Sequence, residues 1–290
     1  AGSDKDGRIV TKREKVDSKE VGLEIGLLLA RFFFNSEDLH FGYWPDGTSA
    51  NISNIPEAQK RHTDLIFSHI PESVKNILDV GAGSGELAKK LIHKGYSVDC
   101  VSPSSFLSDK IQSKLPPEST LYRTTFEALE TDRRYDLIIF SESFQYVKIR
   151  PGLSQCENLL NRNGHFLICD FFSLKTDSKS PLRGGHKLSR LLDAMDDFPF
   201  DIITDIDITM ETAPTIGILE KFLSDFLIPS KDLSVKYLLS NFPTVTKLLR
   251  WKLRRRVAKI NRVYMSGQIT AESFIRHKSY RLFLYQKTAS

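Results

Sequence analysis

Short apolar runs alternate with amphipathic stretches through the middle of the chain. The runs at 76–80, 97–101, 120–123, 135–140 and 165–170 read as strands, and the stretches between them as helical crossovers. That alternation is the pattern of a parallel sheet joined by right-handed connections. Leu137-Ile138-Ile139-Phe140 is apolar on both faces, which suits a central strand covered by helices on each side. Asn163-Gly164 predicts a turn before the fifth strand, preceded by a helix over 152–160. Ahead of the strands, Val21, Ile25, Leu28, Leu29 and Phe32 recur at helical spacing, and 35–54, with its aromatics, Gly and Pro, reads as an ordered loop. A second helix is expected from Pro56 to about His69, with Ile66 and Phe67 toward the core. Beyond Phe172 the pattern predicts a polar stretch to Gly185, a helix over 188–195, a strand over 201–209, a mostly helical segment over 214–274 and a closing strand over 279–286.

The first eighteen residues are polar and charged without hydrophobic periodicity and are expected to be a disordered tail; Ala1-Gly2-Ser3 reads as a cloning remnant and enters no fold argument. The chain thus divides into that tail (1–18), N-terminal cap helices with the aromatic loop (19–72), an α/β core (73–213 plus 278–290) and a helical insertion (214–277). Hydrophobic residues make up 40% and charged residues 27% of the 290, an ordinary globular composition. The apolar runs fall far short of the roughly 20 residues that span a bilayer. No apolar leader with a small-residue cleavage site opens the chain, and Cys100, Cys156 and Cys169 show no Cys-x-x-Cys spacing, so the expected location is the reducing cytoplasm and no metal site is expected. Net charge is +5. Much of the basic excess sits in 247–262, where Leu249, Leu253, Val257 and Ile260 form the apolar stripe of a basic amphipathic helix. Such a helix is either a solvated face packing one stripe or a contact for something anionic, a membrane surface or a phosphorylated substrate before nucleic acid.

The candidate chemistry begins at Ile77-Leu78-Asp79-Val80-Gly81-Ala82-Gly83-Ser84-Gly85, a strand running into a Gly-x-Gly-x-Gly turn before a helix. Glycines there allow tight geometry and close approach of the main chain to a ligand. In a doubly wound sheet this turn lies at the carboxyl ends of the strands, where ligands bind. Glu86 at the sixth position, and no acid closing the second strand, speak against a dinucleotide dehydrogenase. A P-loop is excluded because no Gly-Lys-Ser/Thr follows.

On these residues, with Tyr135 to Ile139 and the Asn163-Gly164 turn, the chain resembles the class I S-adenosylmethionine-dependent methyltransferases of small-molecule and lipid type, over roughly 74–172 and the last two strands. The resemblance implies an α/β, Rossmann-like seven-stranded mostly parallel sheet with an antiparallel last strand, capped by helices at the N-terminus and carrying a helical insertion before the last strand. It implies S-adenosyl-L-methionine as cofactor, with Asp79, Gly81, Ala82, Gly83 and Gly85 at its amino-acid end. The family's ribose-binding acid is replaced by Ser102, which either bonds a ribose hydroxyl or only forms a Ser-Pro turn. Thr125 and Phe126 match the stretch that lines the adenine, with core packing the other reading of Phe126. Ser141 and the residues after it match the mouth where cofactor and substrate meet. His40-Phe41-Gly42-Tyr43-Trp44 is similar to a stretch that closes over the cofactor; Tyr43 either faces the sulfonium or pins the cap to the core.

Methyl transfer is an in-line displacement, so alignment is the first requirement, and a base is needed only where the acceptor sheds a proton. His69, His165, His62 and His93 fall at the wrong edge or on helices, as surface or packing residues, which leaves His40, His186 and His277. His186, after Gly184-Gly185, is the first candidate for a base or substrate contact, with an exposed loop histidine as the other reading. Glu142 and Asp170, at strand ends, are the carboxylate candidates. The function expected is methyl transfer to a small or amphipathic molecule. An RNA or protein methyltransferase and a non-catalytic S-adenosylmethionine-binding protein are the alternatives.

Overall fold

In the computed structural model, residues 24, 25, 27–29, 31, 32, 36–178, 180–264 and 267–288 are described; the tail expected at 1–18 and Val21 lie outside them. Seven strands among these residues, β1 (Asn76–Val80), β2 (Ser97–Val101), β3 (Leu121–Tyr122), β4 (Tyr135–Ser141), β5 (Leu160–Ser173), β6 (Phe200–Asp207) and β7 (Lys278–Lys287), form one sheet in the order β3-β2-β1-β4-β5-β7-β6. β1 pairs in parallel with β2 and β4, and β4 with β5. β7 inserts antiparallel between β5 and β6. This is the Rossmann-like mixed sheet with a reversed last strand. The order turns back on itself beside β1, so the loops after β1 and β4 diverge there and leave a crevice at their carboxyl ends.

The elements follow from the pattern of burial. Leu137, Ile138, Ile139 and Phe140 are all fully buried, because helices cover both faces of β4. One apolar cluster, with Phe126, Phe140, Phe144 and Phe166, fills one face of the sheet; the other, with Ile66, Ile77, Leu167 and Tyr280, fills the opposite face. α1 (Ile55–Ser68) precedes the first strand, and the helices between strands are α2 (Glu86–His93), α3 (Ser105–Gln112), α4 (Ile149–Leu159) and α5 (Leu188–Met195). α1 starts with Pro56 in its first turn, where the missing N–H costs nothing.

Three boundaries differ from the sequence expectation. β3 is only two residues long, because it is an edge strand paired on one side. β5 begins before the Asn163-Gly164 turn, which forms an irregularity inside the strand: Asn163 has φ +59° and a side chain on Gly164 would lie 2.9 Å from the Asn161 carbonyl. The helical segment starts at Thr209, not near Pro214; the Asp207 carboxylate, one residue before the N-cap Ile208, accepts from the otherwise free Thr209 N–H at 3.0 Å. It comprises α6 (Thr209–Phe222), a π turn, α7 (Ile228–Asn241), α8 (Pro243–Tyr264) and α9 (Ala271–His277). Of the helical residues at 24–32, Leu27 is buried, while Ile25, Leu28, Leu29 and Phe32 are exposed. Among the described residues no helix is long and apolar enough to cross a membrane.

Candidate functional site

The glycines of the turn after β1 have separate reasons. Gly81, Gly83 and Gly85 all have positive φ, at +70°, +54° and +83°. The Gly81 N–H donates to Val101 O at 2.9 Å, tying the turn to the end of β2. A Cβ on Gly81 would fall 2.5 Å from that of Ser143, so glycine lets the loop after β4 close on the turn. A Cβ on Gly85 would meet the Ile111 backbone at 3.1 Å, which brings α3 against the start of α2. At Gly83 nothing lies within 4 Å: the main chain here faces open space. Ala82 is buried under the turn.

Asp79, directly below, is 1% exposed, and its Oδ2 has no hydrogen-bond partner among the described residues. Burial pushes its carboxyl up to about 7. A buried acid with an idle oxygen beside bare main chain is a fit for an ammonium group, since a cation would restore the ionised form that burial disfavours. The methionine end of S-adenosylmethionine carries such a group, so these residues fit the cofactor.

The remaining predicted positions spread around the same strand ends. Ser102 is buried after β2, its N–H bonded to Tyr122 O at 3.0 Å. Thr125 is exposed at the start of a short 3-10 turn. Phe126, expected either at the adenine or in the core, is 2% exposed and packs edge-on against Phe140 with centroids 5.2 Å apart, in keeping with the core reading. The 3-10 turn points it inward, where the apolar cluster takes it. Ser141 ends β4, partly covered, paired in register with Cys169.

Glu142 follows in the left-handed region at φ +53°, which is costly for a residue with a side chain. The surrounding contacts account for it. Its N–H donates to Cys169 O at 2.8 Å, and its Oε1 accepts from the Phe41 N–H at 2.6 Å and the Tyr280 hydroxyl at 2.7 Å. Burial raises its pKa, against the opposing pull of His40.

Behind Tyr280 lies a relay that the sequence reading did not assemble. His62 Nε2 is 2.9 Å from the Tyr280 hydroxyl. That hydroxyl spends its one proton on Glu142, so His62 Nε2 must donate, leaving Nδ1 bare; Nδ1 is indeed buried without a partner. Burial and the neighbouring His40 push the His62 pKa well down, in keeping with a neutral ring. His40 stacks on His62 at 4.7 Å. Burial opposes charge on His40, but Asp38 and Glu142 outweigh it and raise its pKa. Asp38 in turn is held below the usual carboxylate range by His40 and Lys90 in spite of burial, with Lys90 Nζ at 2.8 Å. Nothing in the sequence marks His62 as a member, because its partner is 218 residues away.

The loop 36–44 is thereby laid across the strand ends. Ser84 Oγ donates to Glu37 O at 2.7 Å, and Lys114 bonds both the Ser84 carbonyl and the carboxylates of Glu37 and Glu86. At the far end Gly42 N and Trp44 Nε1 donate to Thr215 Oγ1 of α6 at 3.1 and 2.9 Å. The part of the loop that touches the glycine turn is therefore Glu37. Tyr43 is partly covered, its N–H donates to Ala58 O, and burial and Glu211 raise its phenol pKa.

Of the other candidates, Asp170 is buried with its carboxyl pushed up to about 8, and it accepts from Gln145 N at 2.9 Å and Phe171 N at 2.8 Å, fixing the loop after β4. His186 has Nε2 2.8 Å from the Val147 carbonyl and lies edge-on to Phe144, which anchors its ring to that same loop. His277 is buried between Ser273 O and Ser178 Oγ, both at 2.8 Å. A cavity of about 310 Å³ beside α6, lined by Ala50, Pro214 and Ile218, contains none of these groups.

The chain is similar to known methyltransferases. A curated relative from Bacillus mycoides (strain KBAB4), an uncharacterized methyltransferase, is 25% identical over 142 residues, which is 46% of this chain and 67% of that protein. Solved structures share the fold at low identity. A protein of Galdieria sulphuraria assigned as a sarcosine dimethylglycine methyltransferase superposes with a TM-score of 0.64 at 17% identity, over 91% of this chain and 98% of that one. The [4+2]-cyclase SpnF gives 0.62 at 15%, over 94% and 95%. The geranyl diphosphate C-methyltransferase of Streptomyces coelicolor A3(2), solved with S-adenosyl-L-homocysteine, gives 0.62 at 15%, over 91% and 92%. The model of the methyltransferase domain family matches residues 54–202, just over half of the chain, and the protein belongs to that family as a class I S-adenosylmethionine-dependent methyltransferase.

Proposed function

We propose that this chain methylates a small or amphipathic molecule held beneath the loop 36–44. The observation that carries the reading is the roof itself: the loop is tied to the glycine turn through Glu37 and to the end of β4 through Glu142. A covered site favours an acceptor of limited size over a folded RNA or protein surface. The geranyl diphosphate C-methyltransferase, with a similar fold, acts on a substrate of that kind. Cys100, Cys156 and Cys169 are free and buried, in keeping with a reducing compartment such as the cytoplasm.

S-adenosylmethionine, when bound, supplies a methyl group made electrophilic by its sulfonium. The chain's own residues do the rest. Asp79 would hold the cofactor's ammonium end beside the main chain of Gly81, Ala82, Gly83 and Gly85, while Ser102 and Thr125 would serve the adenosine end and Ser141 the mouth. Tyr43 contributes an aromatic face from the loop. Glu142 is the group best suited to orient an acceptor or take its proton: it is desolvated, its pKa is raised, and its geometry is fixed by Phe41 and Tyr280. Asp170 and His186 act one step back by fixing the loop after β4.

Ser102 favours one second reading, a protein that binds the cofactor without transferring methyl, because a hydroxyl holds a ribose more weakly than a carboxylate. The likeness to a cyclase shows that this fold also hosts other chemistry. Incubation with methyl-labelled S-adenosylmethionine and separate pools of small molecules, RNA and protein decides among them. Label in the small-molecule pool, lost in Glu142→Gln with S-adenosylhomocysteine binding retained, is the expected result. Label in RNA or protein overturns the proposed acceptor, and no label in any pool with intact binding leaves the non-catalytic reading.

A further inference from the structure

The α7–α8 hairpin is left unpacked by the fold. No residue of α7 is buried, and of the described side chains of α8 only Thr246 is. What the hairpin exposes is apolar and aromatic: Leu233, Tyr237 and Phe242 are 67%, 62% and 53% exposed, and Leu248 and Trp251 are 61% and 64%. Leu233 with Tyr237 and Leu248 with Trp251 are spaced so that each pair shares a face of its helix, and exposed apolar rows of this kind mark an interaction surface. Its charge says for which partner. Between Pro243 and Tyr264 the sequence carries eight lysines and arginines and no acidic residue. Lys247, Arg250, Lys252, Arg254 and Arg255 are all exposed among the apolar residues.

We infer that α8, with the exposed apolar residues of α7, docks the protein on an anionic lipid membrane, a surface from which an amphipathic acceptor is taken. A basic helix with Trp and Leu on its surface lies in the interface plane, its apolar side chains among the acyl boundary and its cations among the headgroups. Nucleic acid meets the charge but not the apolar residues, because a phosphate-binding face is polar as well as basic. A second copy of the chain meets the apolar residues but would bring together two faces of the same sign. The hairpin lies between β6 and β7, directly after α6, to which the roofing loop is bonded through Thr215, so docking and substrate entry are on neighbouring elements. The inference about the acceptor rests on the small-molecule reading above; the docking surface does not.

The test uses the whole protein with vesicles of phosphatidylcholine alone and of phosphatidylcholine mixed with phosphatidylserine. Co-sedimentation with the mixed vesicles only, falling as salt is raised, is expected. The double variant Arg254→Gln/Arg255→Gln is expected to lower partitioning at least tenfold, at about fivefold for each cation neutralised. Tryptophan emission is expected to shift to the blue on mixed vesicles and to lose that shift in Trp251→Phe, since Trp44 is already buried. Equal retention by both vesicle types, no retention, or retention unchanged in the double variant overturns the surface, as does tight binding to single-stranded RNA without binding to vesicles. S-adenosylhomocysteine binding measured on the same preparation separates the two claims: intact binding without vesicle retention sinks the docking surface alone, and its loss with vesicle retention sinks the methyltransferase reading alone.

Discussion

Asp79 shows how one side chain reports on a missing charge. Its folded pKa of about 7 lies above the ordinary 3.8, so its contribution to stability is complete below about pH 4 and is lost as pH rises through 7. Asp79→Asn removes that loss. The ligand-free variant is expected to unfold at higher temperature than the parent at pH 8 and to show no advantage at pH 4, while S-adenosylhomocysteine binding weakens by tenfold or more; calorimetry at the two pH values reads both. A variant less stable than the parent at pH 8 would mean that Asp79 is satisfied without the cofactor. Tyr280 makes a different kind of prediction, because its hydroxyl joins His62 to Glu142. Tyr280→Phe leaves the buried His62 N–H with only the weak acceptor Cys169 Sγ, 3.4 Å away, at a cost of about 1–3 kcal/mol in urea unfolding. It also loosens Glu142, so methyl transfer is expected to fall more than cofactor affinity.

At the scale of the element, the glycine turn is three backbone problems with three answers. Gly81 and Gly83 both sit at positive φ, yet only Gly81 has a neighbour in the way. Gly81→Ala combines left-handed strain with a clash against Ser143 and is expected to cost about 2–4 kcal/mol of stability. Gly83→Ala meets strain alone, about 1 kcal/mol, but puts a methyl group into the space the cofactor needs. The expected contrast is a destabilised Gly81→Ala and a well-folded Gly83→Ala with weakened S-adenosylhomocysteine binding. Equal melting points for the two would refute the assignment of Gly81 to packing and Gly83 to the ligand.

For the whole molecule, the loop 36–44 links parts of the chain that are distant in sequence: α2 through Lys90, the turn after α3 through Lys114, β7 through Glu142 and Tyr280, and α6 through Thr215. The two lysine ion pairs hold the roof and also neutralise it: Lys90→Gln/Lys114→Gln leaves the Asp38 and Glu37 carboxylates, 12% and 17% exposed, without their lysine cations, at an expected cost of about 1–3 kcal/mol each. Hydrogen exchange at 36–44 should rise, and S-adenosylhomocysteine should leave several-fold faster. Exchange confined to its parent rate would show that Thr215 and Glu142 suffice to close the site.

The sequence by itself made β1, β2 and β4 legible, because strands covered on both faces read as short, mostly apolar runs: Leu137 to Phe140 is apolar without a break, and β1 and β2 are interrupted by a buried acid each, Asp79 and Asp99. It determined the glycine turn and its acid for a similar reason, since tight backbone geometry admits few residue types. It did not determine where α6 begins, just after Ile208, which is tied to Tyr280 O of β7, nor that Phe126 faces inward. It did not assemble His62, His40, Tyr280 and Glu142. Each of these has an ordinary local role in its own helix, loop or strand, and their chemistry exists only because the reversed β7 brings Tyr280 beside α1 and the end of β4. Local pattern fixed the elements; contacts between residues as far as 218 positions apart, which no local pattern encodes, decided the site.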